Sequence, residues 1–234
     1  PLRISYLGGG TDYPAYFEKN FGCSIGATID KYVYVISNPL SSTSHEKIRF
    51  SYNQVESCNE ISELEHPVAR EVLGDFRDLL PINISTFSDI PARNGLGGSS
   101  AFTAALFKNL LEVRGESLVS SEIAKYAVEI ERKRLNEIGG YQDQYQTSIG
   151  GFNYYRFEEK GIQVDSRIVS PIYLDYLAKR QVLIYSGYSR TSIPEMHLSQ
   201  GESVHSLDAI RDLTVDTRLA LKENFAEPQK SFQI

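Results

Sequence analysis

Arg3-Ile4-Ser5-Tyr6-Leu7 is β-prone and stops at Gly8-Gly9-Gly10, which predicts a short strand running into a tight turn. A short helix is expected from Pro14 to Asn20, then strands over Ser24–Ile29 and Tyr32–Ser37 about the turn-like Asp30-Lys31. Ile48-Arg49-Phe50 reads as a weak strand, and a charged, poorly patterned stretch runs on to about Glu65. Behind Pro67, Val68, Val72 and Phe76 recur every fourth residue and predict a helix to Leu80. Ile82–Phe87 is the next expected strand.

From Ser99 to Val113 apolar residues lie nearly all round a helical wheel, including Phe102, Ala105, Leu106 and Leu110, so a buried helix is expected. Ser120 or Ser121 can cap a further helix to about Leu135, with Ile123, Tyr126, Ala127 and Ile130 on its inner stripe. Phe152–Phe157, Ile162–Ile168 and Gln181–Tyr185 are strand candidates, and Gly201–Asn224 carries a long helical pattern. Helices and strands interleave irregularly, so a mixed α/β or α+β architecture fits better than a strict βαβ array. No internal repeat stands out, and no shift in composition marks a domain boundary.

Composition narrows the function classes. The 234 residues are 41% hydrophobic, which excludes a disordered or low-complexity chain. No apolar run reaches the roughly 18 residues of a membrane span. The first residues lack the layout of a secretory signal, and without an initial Met some upstream residues are expected. A net charge of -6 argues against a nucleic-acid partner, and two cysteines make no disulfide framework, so a cytoplasmic location is expected. The one dense charge cluster, from Glu129 to Arg134, is mixed in sign and reads as an exposed, ion-paired helix face.

Pro91-Ala92-Arg93-Asn94-Gly95-Leu96-Gly97-Gly98-Ser99-Ser100-Ala101 sits between a strand and a helix. Glycines let the backbone approach a ligand, and amides at a helix start favour an anion. The same string also suits an empty, serine-capped turn. It is neither a Walker A loop nor a dinucleotide fingerprint, since Gly-Lys-Ser/Thr and G-x-G-x-x-G are both missing. Gly8-Gly9-Gly10-Thr11-Asp12-Tyr13-Pro14 is a second glycine site. Alone it is a turn, but Arg3 heads the strand before it, and a guanidinium with a carboxylate can grip a phosphorylated or polyhydroxylated ligand. Glu131 shares a stripe with Ile123 and Ala127 and could point inward, as a half-buried salt bridge or a ligand. Asp143 follows a break at Gly139-Gly140 and reads, by itself, as an exposed loop acid.

Together these segments resemble the GHMP kinase superfamily. The first family motif resembles Pro1 to Tyr13, the phosphate loop resembles Pro91 to Ala101, and Asp143 follows Glu131 by twelve positions as in galactokinase-type members. Ala27-Thr28-Ile29-Asp30-Lys31-Tyr32, Gln142-Asp143-Gln144 and Gly150 to Tyr155 extend the likeness toward the heptose-phosphate kinase branch. The fold this resemblance implies is α+β, with an N-terminal ribosomal-protein-S5-like domain over residues 1–170. The start of a ferredoxin-like C-terminal domain is expected over 171–234. A third, late glycine motif of the family is missing after Gly201, so that second domain is expected to be incomplete.

The implied activity is transfer of the γ-phosphoryl group of ATP to the anomeric hydroxyl of a sugar phosphate, with Mg²⁺. Pro91, Asn94, Gly95, Leu96, Gly97, Gly98, Ser99 and Ser100 would cradle the triphosphate. Ser99 and Glu131 would hold the metal, Asp143 would take the hydroxyl proton, and Arg3 would offset charge beside it. Gly9, Gly10, Thr11, Asp12 and Tyr13 would bind the sugar, with Arg190 as a further anion contact or an ordinary surface arginine. Gly8-Gly9-Gly10-Thr11-Asp12 stands where galactokinases carry Gly-Glu-His-Thr-Asp, which leaves more room and disfavours galactose. The alternatives are another sugar 1-kinase of fucose or galactose type, a mevalonate-type kinase, or a non-catalytic sugar- or ATP-binding relative. A small-molecule acceptor is the implied partner, with no nucleic acid and no membrane, and homodimerisation is compatible with it.

Overall fold

The computed structural model describes residues 1–41, 43–92, 94–184 and 203–226. Along the first half of the chain run β1 (Arg3–Leu7), α1 (Pro14–Phe17), β2 (Gly22–Thr28), β3 (Val33–Pro39), β4 (Ile48–Ser51), β5 (Val55–Cys58), α2 (Pro67–Gly74) and β6 (Ile82–Ser88). There follow α3 (Gly98–Arg114), α4 (Ser120–Val128), α5 (Gln142–Ile149), β7 (Phe152–Glu158), β8 (Gly161–Asp165), α6 (Pro171–Ala178) and α7 (Ser203–Ala226). They form two units, each with its own four-stranded sheet: Pro1–Leu2 with Ile29–Gly139 and Asp143–Ile149, and Arg3–Thr28 with Gly140–Gln142 and the described part of Gly150–Ile234. Helices and sheets are mixed in both, as the α+β expectation requires.

In the first unit the strand order is β3-β6-β4-β5, with β4 and β6 parallel and the other pairs antiparallel. Register puts Ile48 beside Ile82 and Phe50 beside Ile84, so four fully buried side chains share the inner face. Val68, Val72 and Leu73 of α2 and Phe102, Leu106, Phe107 and Leu110 of α3 cover that face. The α3 pattern is apolar on most sides because the helix is nearly enclosed, although Val113 at its end is exposed. Tyr126 stacks on Phe107 with ring centroids 3.5 Å apart.

Three expectations for this unit change. The helix from Pro67 stops at Gly74 and gives way to a 3₁₀ turn over Arg77–Leu79. The charged stretch before Glu65 contains β5, an edge strand whose Val55 faces solvent. The helix expected to run to Leu135 changes at Glu129 into a π-helical turn through Arg134.

The second unit orders its strands β1-β2-β7-β8, all antiparallel, with a register irregularity between Ser5 and Leu7. Cys23, Ile25, Phe152 and Tyr154 line its core, and Ile168, Val169, Val215 and Leu221 pack on them. Both cysteines of the chain are free thiols. α7 is tied down at β8, where Arg218 and Lys222 reach Asp165 at 2.8 and 2.6 Å. Burial alone would raise the Asp165 carboxyl, but hydrogen bonds from those two cations outweigh it and hold the group down to about 2. Residues 181–184, expected to begin a strand, have no regular structure, and α6 stands where no element was expected. Among the described residues no helix is long and apolar enough to cross a membrane.

Candidate functional site

The described residues from Asn94 to Ser100 adopt the form their glycines allow. Asn94 Nδ2 donates to Pro91 O at 2.8 Å and Asn94 Oδ1 accepts the Leu96 amide at 3.0 Å, so one side chain shapes the turn. Gly97 is the N-cap of α3 in the left-handed region, φ 73°, where only glycine is unstrained. Among the described residues no side chain caps this helix, so the amides of its first turn, from Gly98 to Ser100, have no side-chain acceptor, and the end of the helix dipole there favours negative charge. Pro91, Gly95 and Ser99 are exposed, while Gly97 and Ser100 are buried.

Ser99 and Glu131, expected together, are not brought together. α3 begins at Gly98, so Ser100 and Thr103 share one helix stripe while Ser99 is turned about 100° away. Glu131 does turn inward and is only 1% exposed. Ser100 Oγ donates to Glu131 Oε2 at 2.9 Å, Gln144 Nε2 donates to the same oxygen, and Thr103 Oγ1 lies 2.7 Å from Oε1. Arg132 Nη2 stands 3.8 Å from Oε2. Burial pushes the Glu131 carboxyl above its usual range, against the pull of Thr103, Arg132, Gln144 and Ser100. The π-helical turn that carries Glu131 widens the backbone here, and the Leu135 amide reaches Ile130 O at 3.0 Å.

Gln144 Oε1 is buried with no hydrogen-bond partner among the described residues. Beside it stand a carboxylate and two hydroxyls, so the donor set is hard oxygen and fits Mg²⁺. No three His, Cys, Asp or Glu side chains converge as a metal site among the described residues, so an ion here would draw its other ligands from phosphate and water. Thr103 and Gln144 were not anticipated. Thr103 was readable as the residue three after Ser100 on a helix, and Gln144 as the neighbour of Asp143.

Asp143 lies in the first turn of α5, where the helix dipole favours a negative charge. It is thus on a helix rather than in a loop, and Thr147 Oγ1 bonds its carbonyl at 2.8 Å. Arg3 opens β1 in the second unit.

In that unit the Gly8–Asp12 turn is packed from within. Thr11 is fully buried, its Oγ1 is 2.8 Å from both Gly8 O and Cys23 O, and it accepts the Cys23 amide at 2.9 Å. Asp12 is 1% exposed. Its Oδ1 accepts the Gly10 amide and its Oδ2 the Gln142 amide, both at 3.0 Å. Gly9 is exposed, and Gly10 and Tyr13 are half-buried. Ser5 Oγ donates to Gln142 Oε1 at 3.0 Å, a contact the sequence reading did not include. Arg190 lies outside the described residues.

Residues 64–151 match the family described as GHMP kinases N terminal domain. The chain is 31% identical over 239 residues to the D-glycero-alpha-D-manno-heptose 7-phosphate kinase of Campylobacter jejuni, covering 94% of this chain and 70% of that protein. A crystal structure of a D-glycero-D-manno-heptose 1-phosphate kinase from Bacteriodes thetaiotaomicron is similar with a TM-score of 0.78 at 29% identity, over 95% of this chain and 72% of the other. The Methanococcus jannaschii mevalonate kinase shares the fold at 15% identity, with a TM-score of 0.64 over 94% and 71% of the two chains.

Proposed function

This chain belongs to the GHMP kinase family, and on that premise we propose that it is an ATP-dependent sugar kinase that phosphorylates the anomeric hydroxyl of D-glycero-D-manno-heptose 7-phosphate, giving the 1,7-bisphosphate. The observation that carries the reading is the α3 N-terminus with no side-chain cap, set in one unit with the buried Glu131 cluster. Backbone amides from Gly95 to Ser100 bind the triphosphate in this reading, with Pro91 and Asn94 shaping the loop. Glu131 and the hydroxyl of Ser100, rather than that of Ser99, hold Mg²⁺, with Gln144 Oε1 as a further oxygen. When bound, that ion neutralises charge between the phosphate groups.

Asp143 accepts the proton of the attacking hydroxyl, a role worth about 10²–10⁴-fold. Arg3 balances charge near the transferring group, and the residues around Gly9, Gly10 and Tyr13 receive the sugar. A reaction that draws on ATP belongs in the cytoplasm, where this reading puts the protein. The choice of heptose 7-phosphate rests on the Campylobacter relative; the Bacteriodes structure favours a second reading, in which heptose 1-phosphate is the acceptor.

An ADP-release assay decides among the acceptors, run with heptose 7-phosphate, heptose 1-phosphate, free heptose, fucose and galactose, with ³¹P NMR of the product. Turnover of the 7-phosphate with a new anomeric phosphate ester is the expected result. Turnover of the 1-phosphate alone would install the second reading, and silence across the panel with ATP still bound would make the protein a binder. Asp143→Asn should abolish turnover while ATP affinity stays near wild type; a variant with wild-type kcat would remove the base assignment.

A further inference from the structure

Asp12 was expected to bind a sugar hydroxyl, yet 1% exposure leaves its carboxylate almost no surface to offer one. A buried carboxylate needs partners, and both oxygens have them in backbone amides, Gly10 N and Gln142 N. The second contact spans 130 positions of sequence and falls on the first residue of α5. The main chain of Asp12 adds a third bond, accepting the Tyr141 amide at 3.1 Å. Gly140 completes the fit. Its φ is not in the left-handed region, so conformation does not demand glycine there, but space does. A Cβ on Gly140 would stand 1.9 Å from Asp12 Oδ2 and 2.3 Å from its carboxyl carbon.

We propose that Asp12 is a positioning residue: its carboxylate caps α5 from a distant turn, pins Gly140–Gln142, and so sets the backbone that leads directly into Asp143. The buried side chains of α5 are Gln144, Tyr145, Gln146 and Thr147, so its first two residues, Gln142 and Asp143, are not anchored by burial. A charged cap on its first amide supplies what packing does not. The Ser5 hydroxyl on Gln142 Oε1 holds the same residue from its side chain. Asp12 thereby acts on the reaction through Asp143, and this inference rests on Asp143 being the base.

Asp12→Asn keeps the shape but turns one oxygen into an N–H donor, which cannot accept both backbone amides. In the full chain, with ATP and heptose 7-phosphate, kcat should fall about 100-fold, the order expected for a small misplacement of a reacting group. KM for the sugar should stay within about threefold, since the lost interaction orients the base rather than binding the acceptor. Amide exchange across residues 140–149, read by mass spectrometry, should quicken about tenfold, the factor for one charge-assisted bond.

Gly140→Ala, by displacing the same carboxylate, should reproduce both changes. The Asp12→Asn/Gly140→Ala protein should then lose less than the product of the two single effects. A raised sugar KM with wild-type kcat and unchanged exchange at 140–149 would make Asp12 an acceptor ligand and overturn the proposal. Strictly multiplicative losses in the double variant would overturn it as well. An active Asp143→Asn protein would defeat the base assignment on its own, whatever the exchange at 140–149 shows, so the two failures are told apart.

Discussion

A Cβ added at Gly8 would stand 2.0 Å from Cys23 O, whereas one added at Gly95 would meet no described atom within 4 Å. Both residues have φ in the left-handed region, and both sit in turns of glycine, hydroxyl and one shaping side chain. In the first turn, Thr11 and Asp12 are buried and hydrogen-bonded inward, and Gly8 serves close packing of backbone on backbone. In the second, Asn94 shapes the turn while Gly95 and Ser99 stay exposed and α3 starts without a side-chain cap. Glycine count therefore says that a backbone comes close to something; only the surroundings say whether that something is the protein itself or a ligand.

The difference can be broken at its strongest point with Gly8→Ala. A side chain there combines strained φ with collision against fixed backbone, and the loss should exceed about 4 kcal/mol, read as a collapsed urea midpoint. A variant with the wild-type midpoint would erase the distinction between the turns. Thr11→Val should cost about 1–3 kcal/mol because buried carbonyls and an amide lose their hydroxyl partner. Its KM for ATP should stay at the wild-type value; a change would mean that the first turn touches the nucleotide.

Gly95→Ala should cost only about 1–2 kcal/mol, the strain of a left-handed alanine, and should raise KM for ATP. A destabilised protein with unchanged KM would mark the second turn as structural too. Acidification should give the smallest effect and separate the two units. His66 Nδ1 accepts the Ala69 amide at the start of α2, and burial lowers its pKa below the ordinary histidine value. The unfolded chain takes up a proton first, so stability in the first unit is complete above about pH 6.5 and declines below it.

Asp165 in the second unit is depressed, so its contribution is kept above the unfolded carboxylate pKa and lost only as pH falls through about 2. Between about pH 7.5 and 5.5, protection of the amides against exchange, corrected for the intrinsic pH dependence, should therefore fall at 66–74 and not at 161–165. His66→Asn, which keeps an accepting side chain at the cap, should flatten the response. An equal loss of protection in the two segments would show that His66 is not its source.

Much of the scaffold was readable because it follows apolar periodicity. β1 lies where expected, α3 matches its all-round apolar wheel, and Glu131 follows the Ile123–Ala127 stripe inward. Periodicity failed where burial is polar or where backbone hydrogen bonding departs from the standard ladder. Helix α5 buries two glutamines and a threonine beside its single tyrosine, Tyr145, and so looks like a loop by hydropathy. The π-helical turn keeps a helical side-chain pattern while shifting its hydrogen bonds. That Ser100 rather than Ser99 meets Glu131 depends on where α3 begins, and a run of two glycines and two serines does not specify that start. Helix α6 does carry a local signal: Ser170 caps it and Pro171 occupies its first position. The inward role of Asp12 required a partner 130 positions away, which no local pattern contains.

The pairing of β2 with β7 also sets an order in time. During synthesis β1 and β2 emerge before β7, and the whole Ile29–Gly139 stretch of the first unit lies between them and that partner strand. The first unit's core lies within that one stretch, so it can form while Cys23 and Ile25 still lack the cover of Phe152 and Tyr154. β1 and β2 are therefore made well before the strand that covers them, and in that interval they are a part of the chain a chaperone would need to shield.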